Sequence, residues 1–208
     1  GAASWFGGAC AADRFRGRGP AQASAAEIGG SWHVDEGEVE RGDDGARCTG
    51  DARMHITVEK PVALIAVRSL IDGPETSIVV RWSDAAGERY ELWVSGEQWR
   101  FAVGGAEYGC GTLDTAGDCA VVQRDIQITL GERGVWGVVD GVRYLEQSSH
   151  GHDTAAVGDI GLSVVCAGPR TRVSRFEAHP ATVTAVQRSA RLTPWRYRRG
   201  EELVLADS

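Results

Sequence analysis

The chain has 208 residues and a formal net charge of −7, and Lys60 is its only lysine. This acidic balance excludes a general nucleic-acid binder, which needs a basic face, and no apolar run approaches the roughly 18 residues of a membrane helix. The hydrophobic content of 42% is enough for one substantial core, so the length does not require two domains. Arginine in place of lysine, with abundant alanine and glycine, suggests a bacterial source.

Short runs of alternating apolar residues begin near the N-terminus. Residues 1–12 are small and Gly/Ala-rich, which predicts a flexible or tethering segment. One strand is predicted at 13–15 and a short helical turn at 21–28. Trp32 to Val34 and Val39 alternate around an acidic turn at 35–37. The excess of acids over 35–51 indicates a solvated loop and strand edge, and the alternative is a cation-binding loop.

Further strands are predicted between residues 54 and 178, and the strongest signals lie in 76–145, where each run is closed by a turn signal. Period-two alternation ended by Gly or Asp-Gly predicts strands and hairpins. About twelve strands at a spacing of roughly ten residues favour an antiparallel sandwich over a parallel α/β sheet. The predicted strands of this part are 54–58, 62–67, 77–82, 89–94, 98–103, 120–130, 135–139, 142–145, 160–165 and 171–178.

Composition changes after residue 180. Pro180 is predicted to close the sandwich, which then spans residues 13–180. Residues 181–208 carry five arginines and a Pro-Trp break. Two interpretations stay open: a C-terminal extension that packs back on the sandwich, with a strand at 203–205, or a linker to another module.

The five cysteines bear on the compartment. Cys110 and Cys119 flank a polar loop between two strands, and we predict a disulfide between them. No cysteine spacing fits a zinc site. A disulfide requires an oxidising compartment, so the chain is predicted to be secreted, periplasmic or on the cell surface. Pairing among Cys10, Cys48 and Cys166 stays open.

Three segments together resemble a known superfamily. The opening, with Asp13, Phe15 and Trp32, is similar to the "D-x-F … W-x-V" start of bacterial laminin-G-like, concanavalin A-like jelly-roll domains. The segment 137–141 resembles their "V-x-V-D-G" hairpin, and the segments 157–162 and 175–178 resemble their closing strands. The similarity extends over residues 13–179.

The resemblance implies an all-β fold, an antiparallel two-sheet jelly-roll sandwich with one concave face. Members serve as carbohydrate-binding modules, as adhesion or sensor ectodomains, and as parts of glycoside hydrolases, so the fold does not choose among these roles. Relatives often hold a structural calcium ion near the strand ends. The matching positions here are Asp13 and Glu177, although the family's usual Asp-Asn pair is replaced by Glu177 and Ala178.

A catalytic function finds little support in the sequence. The "E-x-D-x-x-E" strand of laminarinase-like relatives is absent, and the acids of 35–40 surround Gly37, which marks a turn. Glu91 and Asp125 are mid-strand acids, but nothing specifies that they form a pair. The loop 148–153 holds two histidines and an aspartate, for which a metal site is the alternative to a solvated loop.

Sugar binding has stronger candidates, because aromatic faces stack on pyranose rings and arginines or acids bond the hydroxyl groups. Alternation places Tyr90, Leu92 and Val94 in the core, together with Trp99, Phe101 and Val103, and it places Trp82 with Ile78 and Val80. The residues left facing the opposite side form the predicted ligand-binding set: Arg81, Glu91, Trp93, Arg100 and Trp136.

These observations favour a non-catalytic extracellular recognition module that binds carbohydrate and forms part of a larger surface protein. The first alternative is a glycoside hydrolase or related sugar-cleaving enzyme of the same superfamily. The second is a protein-interaction or adhesion domain without a sugar site. The expected partners are therefore a glycan or a surface protein, without nucleic acid or membrane insertion.

Overall fold

The computed structural model of the chain describes residues 8–62, 65–80, 82, 88–114, 122–131, 134–148, 157–180, 191–192 and 205–206. The described residues form strands, turns and bends, and they contain no helix. The predicted all-β antiparallel sandwich is therefore confirmed. The strands are β1 Ala11–Asp13, β2 Gly19–Pro20, β3 Trp32–Gly42, β4 Gly45–Val62, β5 Ile65–Gly73, β6 Glu75–Val80, β7 Tyr90–Ser95, β8 Gln98–Val103, β9 Ala106–Thr112, β10 Val122–Gly131, β11 Gly134–Val139, β12 Val142–Ser148, β13 Val157–Val164, β14 Arg172–Pro180, β15 Arg191–Leu192 and β16 Leu205–Ala206.

The strands form two layers. Layer A has the order β12-β11-β10-β5-β14, with β1 beside β14. Layer B has the order β3-β4-β13-β6-β7-β8-β9, with β2 beside β3. The long strand β4 links them, because its start pairs with β14 and its second half pairs with β13. All of the strand pairs are antiparallel, and β6 to β9 form a meander of successive hairpins.

The core lies between the layers and is built by the alternation of each strand. Tyr90, Leu92 and Val94 are buried from β7, while Glu91 and Trp93 between them are only half-buried. The β8 residues Trp99, Phe101 and Val103 are buried in the same way, as predicted. Full burial of an aliphatic or aromatic side chain is worth roughly 1.5–3 kcal/mol, so this shared interior is the main stabilising term.

The segments that resemble the family's opening and closing motifs meet in space. Asp13 accepts a hydrogen bond from the Trp32 indole at 2.8 Å, and Trp32 packs against Phe15 and Phe176, with 5.1 Å between ring centroids in both cases. Arg41 completes the cluster by donating two hydrogen bonds to the Asp13 carboxylate, at 2.7 and 3.1 Å. The first and last strands of the sandwich are thereby fixed side by side.

Three local predictions need correction. Residues 35–37 do not form a turn: β3 continues through them, with a β-bulge and a φ of +77° at Gly37. Residues 21–28 begin with a hydrogen-bonded turn in which Ala23 has a φ of +61°, so the turn is not helical, and bends and isolated bridges follow. Trp82 does not continue the core face of β6, which ends at Val80. Of the strand predicted at 203–205, only residue 205 is described; it lies in β16, which pairs with β15 in a separate two-stranded sheet.

Within the described ranges, no helix is long and apolar enough to cross a membrane. The division of the chain into 1–12, 13–180 and 181–208 stays a prediction.

Candidate functional site

The outward face of layer B, the side turned away from the core, carries two rows of side chains that cross the strands. Strand register aligns His33, His55, Gly161, Val79, Glu91 and Ala102 in the first row. It aligns Arg53, Ser163, Ser77, Trp93, Arg100 and Cys110 in the second row. Small residues therefore form the middle of this face, and aromatic and charged residues surround them.

Trp82 lies on this outward face, over the first row. Its backbone N–H donates to the carbonyl of Asp159 at 3.3 Å, and its ring lies over Gly161. A Cβ atom at residue 161 would lie 2.7 Å from Cζ3 of Trp82, so only glycine leaves room for the indole there. The absence of a side chain at residue 161 therefore makes room for the Trp82 ring.

Two arginines and a histidine surround the Trp82 ring. The guanidinium groups of Arg53 and Arg89 lie 5.0 and 5.2 Å from the ring centroid, which is cation–π distance. The His55 imidazole stacks on the same indole at 5.6 Å. Arg89 also approaches Glu91, with 3.5 Å between nitrogen and oxygen. The ring is held in place, and hydrogen-bond donors and an acceptor surround it.

A second aromatic group lies in the neighbouring row. The Trp93 indole donates to Glu75 at 2.8 Å, and the Arg100 guanidinium lies 4.7 Å above the Trp93 ring. Trp93 and Arg100 are direct cross-strand partners on β7 and β8. Arg100 is exposed and Trp93 is half-buried, so this pair borders solvent.

An open groove lies beside the Trp82 cluster and shares Arg53, Arg89 and Glu91 with it. It encloses about 260 Å³ and is lined by Arg53, Arg89, Glu91, Ala102, Gly104 and Gly105. At the β3 end of the face, Asp35 bonds to His55 at 2.6 Å and lies 3.6 Å from His33. The groove therefore offers guanidinium donors and a carboxylate acceptor above a floor without bulky side chains.

The structure separates the predicted ligand-binding set. Glu91, Trp93 and Arg100 lie together on the outward face of layer B, while Arg81 lies outside the described residues. Trp136 does not share this face, and its predicted role in ligand binding stays a prediction. It belongs to β11 in layer A and is only 8% exposed. Alternation shows whether a side chain points inward or outward, but it does not show in which layer the strand lies.

The surroundings of Trp136 are polar and buried. Arg68 and Gln127 are register neighbours on the outer side of layer A, and Arg68 is only 1% exposed and forms a bidentate ion pair with Asp125. Glu177 and His179 pair at 3.3 Å on β14. Arg68, Gln127, Glu177 and His179 are all buried, in contrast to Arg100 on layer B, which is exposed.

The proposed calcium ligands Asp13 and Glu177 do not converge. Asp13 pairs in register with Phe176 and points toward the core, whereas the neighbouring Glu177 points to the other side of the sheet. Nitrogen donors from Trp32, Arg41 and the Phe15 backbone already occupy the Asp13 oxygens. Among the described residues, no group of three or more His, Cys, Asp or Glu side chains could hold a metal ion.

The described cysteines have separate surroundings. Cys110 is exposed with a free thiol, and hydrogen bonding to Glu107, together with that residue's charge, raises its pKa. Its predicted partner Cys119 lies outside the described residues, so this disulfide stays a prediction. Burial raises the pKa of Cys10 to about 11, and the Cys10 thiol donates to the carbonyl of Ala178. The histidines at 150 and 152 also lie outside the described residues.

The acids named as catalytic candidates are far apart. Glu91 is on layer B, and Asp125 is on layer A, bonded to Arg68. Glu75 and Glu91 lie on adjacent strands, but Glu91 pairs with Val79, four residues from Glu75. Glu75 and Glu91 are therefore not direct cross-strand partners.

Sequence reasoning missed the Trp82 cluster. The period-two pattern of 77–82 predicted Trp82 inside, and no motif linked it to Arg53 or His55, which come from a strand earlier in the chain. The one available signal was Gly161, because a glycine inside a strand often marks a close approach by another group.

Comparison with solved structures supports the fold. The chain is similar to the apo Crh5 transglycosylase, with a TM-score of 0.56, 14% identity and 90% of each chain covered. It is similar to the metal-free exoplasmic/lumenal domain of VIP36 at TM-score 0.54 and 9% identity, over 84% of this chain and 93% of that one. A protein of unknown function with a galectin-like fold from Bacillus subtilis matches at TM-score 0.51 and 11% identity, over 85% and 98%. No protein-family model and no curated protein matches the chain.

Proposed function

We propose that the chain is a non-catalytic carbohydrate-recognition module and that it binds sugar on the outward face of layer B. The observation that carries the proposal is the pair of tryptophans, Trp82 and Trp93, on one face, each with arginine side chains against its ring. Indole faces stack on the C–H surfaces of pyranose rings, and guanidinium and carboxylate groups bond the hydroxyls.

The geometry of the face supports this function. Ser77 and Ser163 bond to each other between the two tryptophan clusters, and the open groove beside them is lined by Ala102, Gly104 and Gly105, which leave room for a ligand. Arg53 has no carboxylate partner among the described residues, which leaves its donors free for a ligand. The fold is also that of a transglycosylase and of a galectin-like protein, although neither likeness identifies a ligand.

The sugar-cleaving alternative would need a carboxyl pair at the groove. Glu75 accepts a hydrogen bond from Trp93, Glu91 lies against Arg89, and the two acids are not direct cross-strand partners. Each acid therefore contacts a hydrogen-bond donor that belongs to one of the two tryptophan clusters. We therefore place binding ahead of hydrolysis, and binding to a surface protein after both. Location on the cell surface or in the medium is part of the same proposal.

The test is a glycan-array screen of the whole chain, followed by calorimetric titration of the strongest hits. Trp82→Ala and Trp93→Ala should each weaken binding by about tenfold or more, since an aromatic platform contributes on the order of 1–3 kcal/mol. Tyr108→Ala is the matched control, because Tyr108 is an exposed aromatic on edge strand β9. It should leave affinity unchanged.

Three outcomes contradict the proposal. A folded protein that retains no glycan removes the sugar function. Binding that survives both tryptophan substitutions moves the site away from this face. Release of shorter sugars from a bound glycan, measured by reducing-end assay, shows catalysis, and its loss in Glu91→Gln would identify the acid.

A further inference from the structure

Two cysteines that are distant in sequence meet at the end of layer B. Cys48 lies in β4 opposite Val39, and Cys166 follows the end of β13. The Cys166 thiol donates to the backbone carbonyl of Cys48 at 3.0 Å, across 118 residues of chain. The backbone N–H of Cys166 donates to Asp51 at 3.2 Å, so β4 holds this residue through both its side chain and its backbone.

The two thiols also affect each other. Burial raises the pKa of Cys48 to about 12, and hydrogen bonding to the Cys166 thiol and that thiol's charge add to the effect. Both side chains are half-buried, so a small oxidant can reach the pair while bulk solvent is largely kept out. Neither Cys10, which bonds to the Ala178 carbonyl, nor Cys110, which lies near Glu107, has a described cysteine neighbour of this kind.

We propose that Cys48 and Cys166 are an oxidative modification site and form a disulfide that ties β4 to the end of β13. The oxidant is a small-molecule disulfide such as oxidised glutathione. The Cys166 thiolate attacks one glutathione sulfur and releases the first glutathione thiolate. The Cys48 sulfur, losing its proton to solvent, then attacks the Cys166 sulfur of the mixed disulfide and releases the second. Two protein thiols are oxidised and one glutathione disulfide is reduced to two thiols.

The bond has a stability consequence that follows from chain length. A cross-link between residues so far apart restricts the unfolded chain over more than half of its length, and the stabilisation predicted from chain entropy grows with the loop closed. We expect the oxidised protein to unfold at a temperature roughly 5–15 °C above that of the reduced protein. The proposal is independent of any sugar site and of the predicted Cys110–Cys119 bond.

The sequence makes the test direct. The whole chain is oxidised with glutathione disulfide, its free thiols are blocked with N-ethylmaleimide at pH 6.5, and it is digested with trypsin without reduction. Cleavage after arginine places Cys48 in peptide 48–53 and Cys166 in peptide 144–170, while Cys110 and Cys119 share peptide 101–124. A Cys48–Cys166 bond therefore joins two peptides, whereas a Cys110–Cys119 bond leaves one peptide with an internal bridge.

The expected mass is that of 48–53 joined to 144–170, and it should disappear after reduction. Recovery of both peptides with blocked thiols overturns the proposal. Cys10→Ala is the matched control and should keep the joined mass, while Cys166→Ala should lose it and also lose the difference in unfolding temperature between oxidised and reduced protein. A joined mass without any such difference overturns the proposed link to stability.

Discussion

The buried carboxylate of Asp13 holds Trp32 and Arg41 in place, and replacing Asp13 by alanine is the most direct test of this role. The Asp13 carboxylate is fully buried and accepts hydrogen bonds from the Trp32 indole, the Phe15 backbone and the Arg41 guanidinium. The side chain of Arg41 is only 8% exposed. Removing the carboxylate therefore leaves a buried cation and two buried N–H donors without their main acceptor.

The size of the effect follows from these contacts. Breaking one side of a buried ion pair costs about 3–5 kcal/mol, and each buried donor left without a partner costs about 1–3 kcal/mol. These costs do not simply add, because the side chains around residue 13 can rearrange after the substitution. We therefore expect Asp13→Ala to lower the free energy of unfolding by roughly 4–7 kcal/mol. Adding Arg41→Met removes the buried charge, so the double variant should be more stable than Asp13→Ala alone.

Urea denaturation followed by tryptophan fluorescence measures the wild type and both variants. Wild-type protein in calcium and in a chelator provides the control, since a calcium ion at Asp13 would make the midpoint depend on calcium. We expect the two midpoints to coincide, because nitrogen donors already occupy the carboxylate oxygens. A loss below 1 kcal/mol in Asp13→Ala, or a double variant weaker than the single one, would refute the assigned role of this cluster.

Three further outcomes are expected. Burial raises the pKa of Cys10 to about 11 from the ordinary value of 9.0, so the folded protein should lose stability as the pH rises from 9 to 11. The loss should reach roughly 3 kcal/mol relative to Cys10→Ala, measured by denaturation at each pH. Gly161→Ala forces its Cβ against Trp82 and a β4 carbonyl, so it should lower the free energy of unfolding by roughly 1–3 kcal/mol and weaken sugar binding. Gly158→Ala, whose nearest atom is 3.8 Å away, should change neither the stability nor the affinity. Gly141→Ala, at a φ of +82°, should cost about 1 kcal/mol by thermal unfolding without changing affinity, and equal stability would contradict the assigned turn.

Local patterns in the sequence were enough to predict most of the strands. In β7 and β8 the predicted inward residues are the buried ones, because a meander of hairpins makes each register depend on the turn beside it. The predicted Asp140-Gly141 turn is confirmed too, since both residues have positive φ. Such features depend on a few neighbouring residues, so one sequence contains the information for them.

The candidate site required information that alternation does not carry. Trp82 follows the end of the β6 ladder, where its N–H bonds to Asp159 and the period-two rule no longer applies. Its partner Arg53 comes from β4, brought beside it by the intervening strand β13. Cys48 and Cys166 meet for the same reason. Contacts between distant segments depend on strand order, which turn signals alone do not specify.

Accessibility, more than composition, distinguishes the two outward faces of the sandwich. Each carries a tryptophan with an arginine against its ring: Trp93 with Arg100 on layer B, and Trp136 with Arg143 on layer A. A ligand can use only groups that it can reach, and the layer A face is lined by buried residues such as Arg68 and Gln127. Trp136→Phe should therefore leave glycan affinity unchanged in a folded protein. If that substitution abolished binding while Trp82→Ala did not, the sugar site would lie on layer A and exposure would be the wrong criterion.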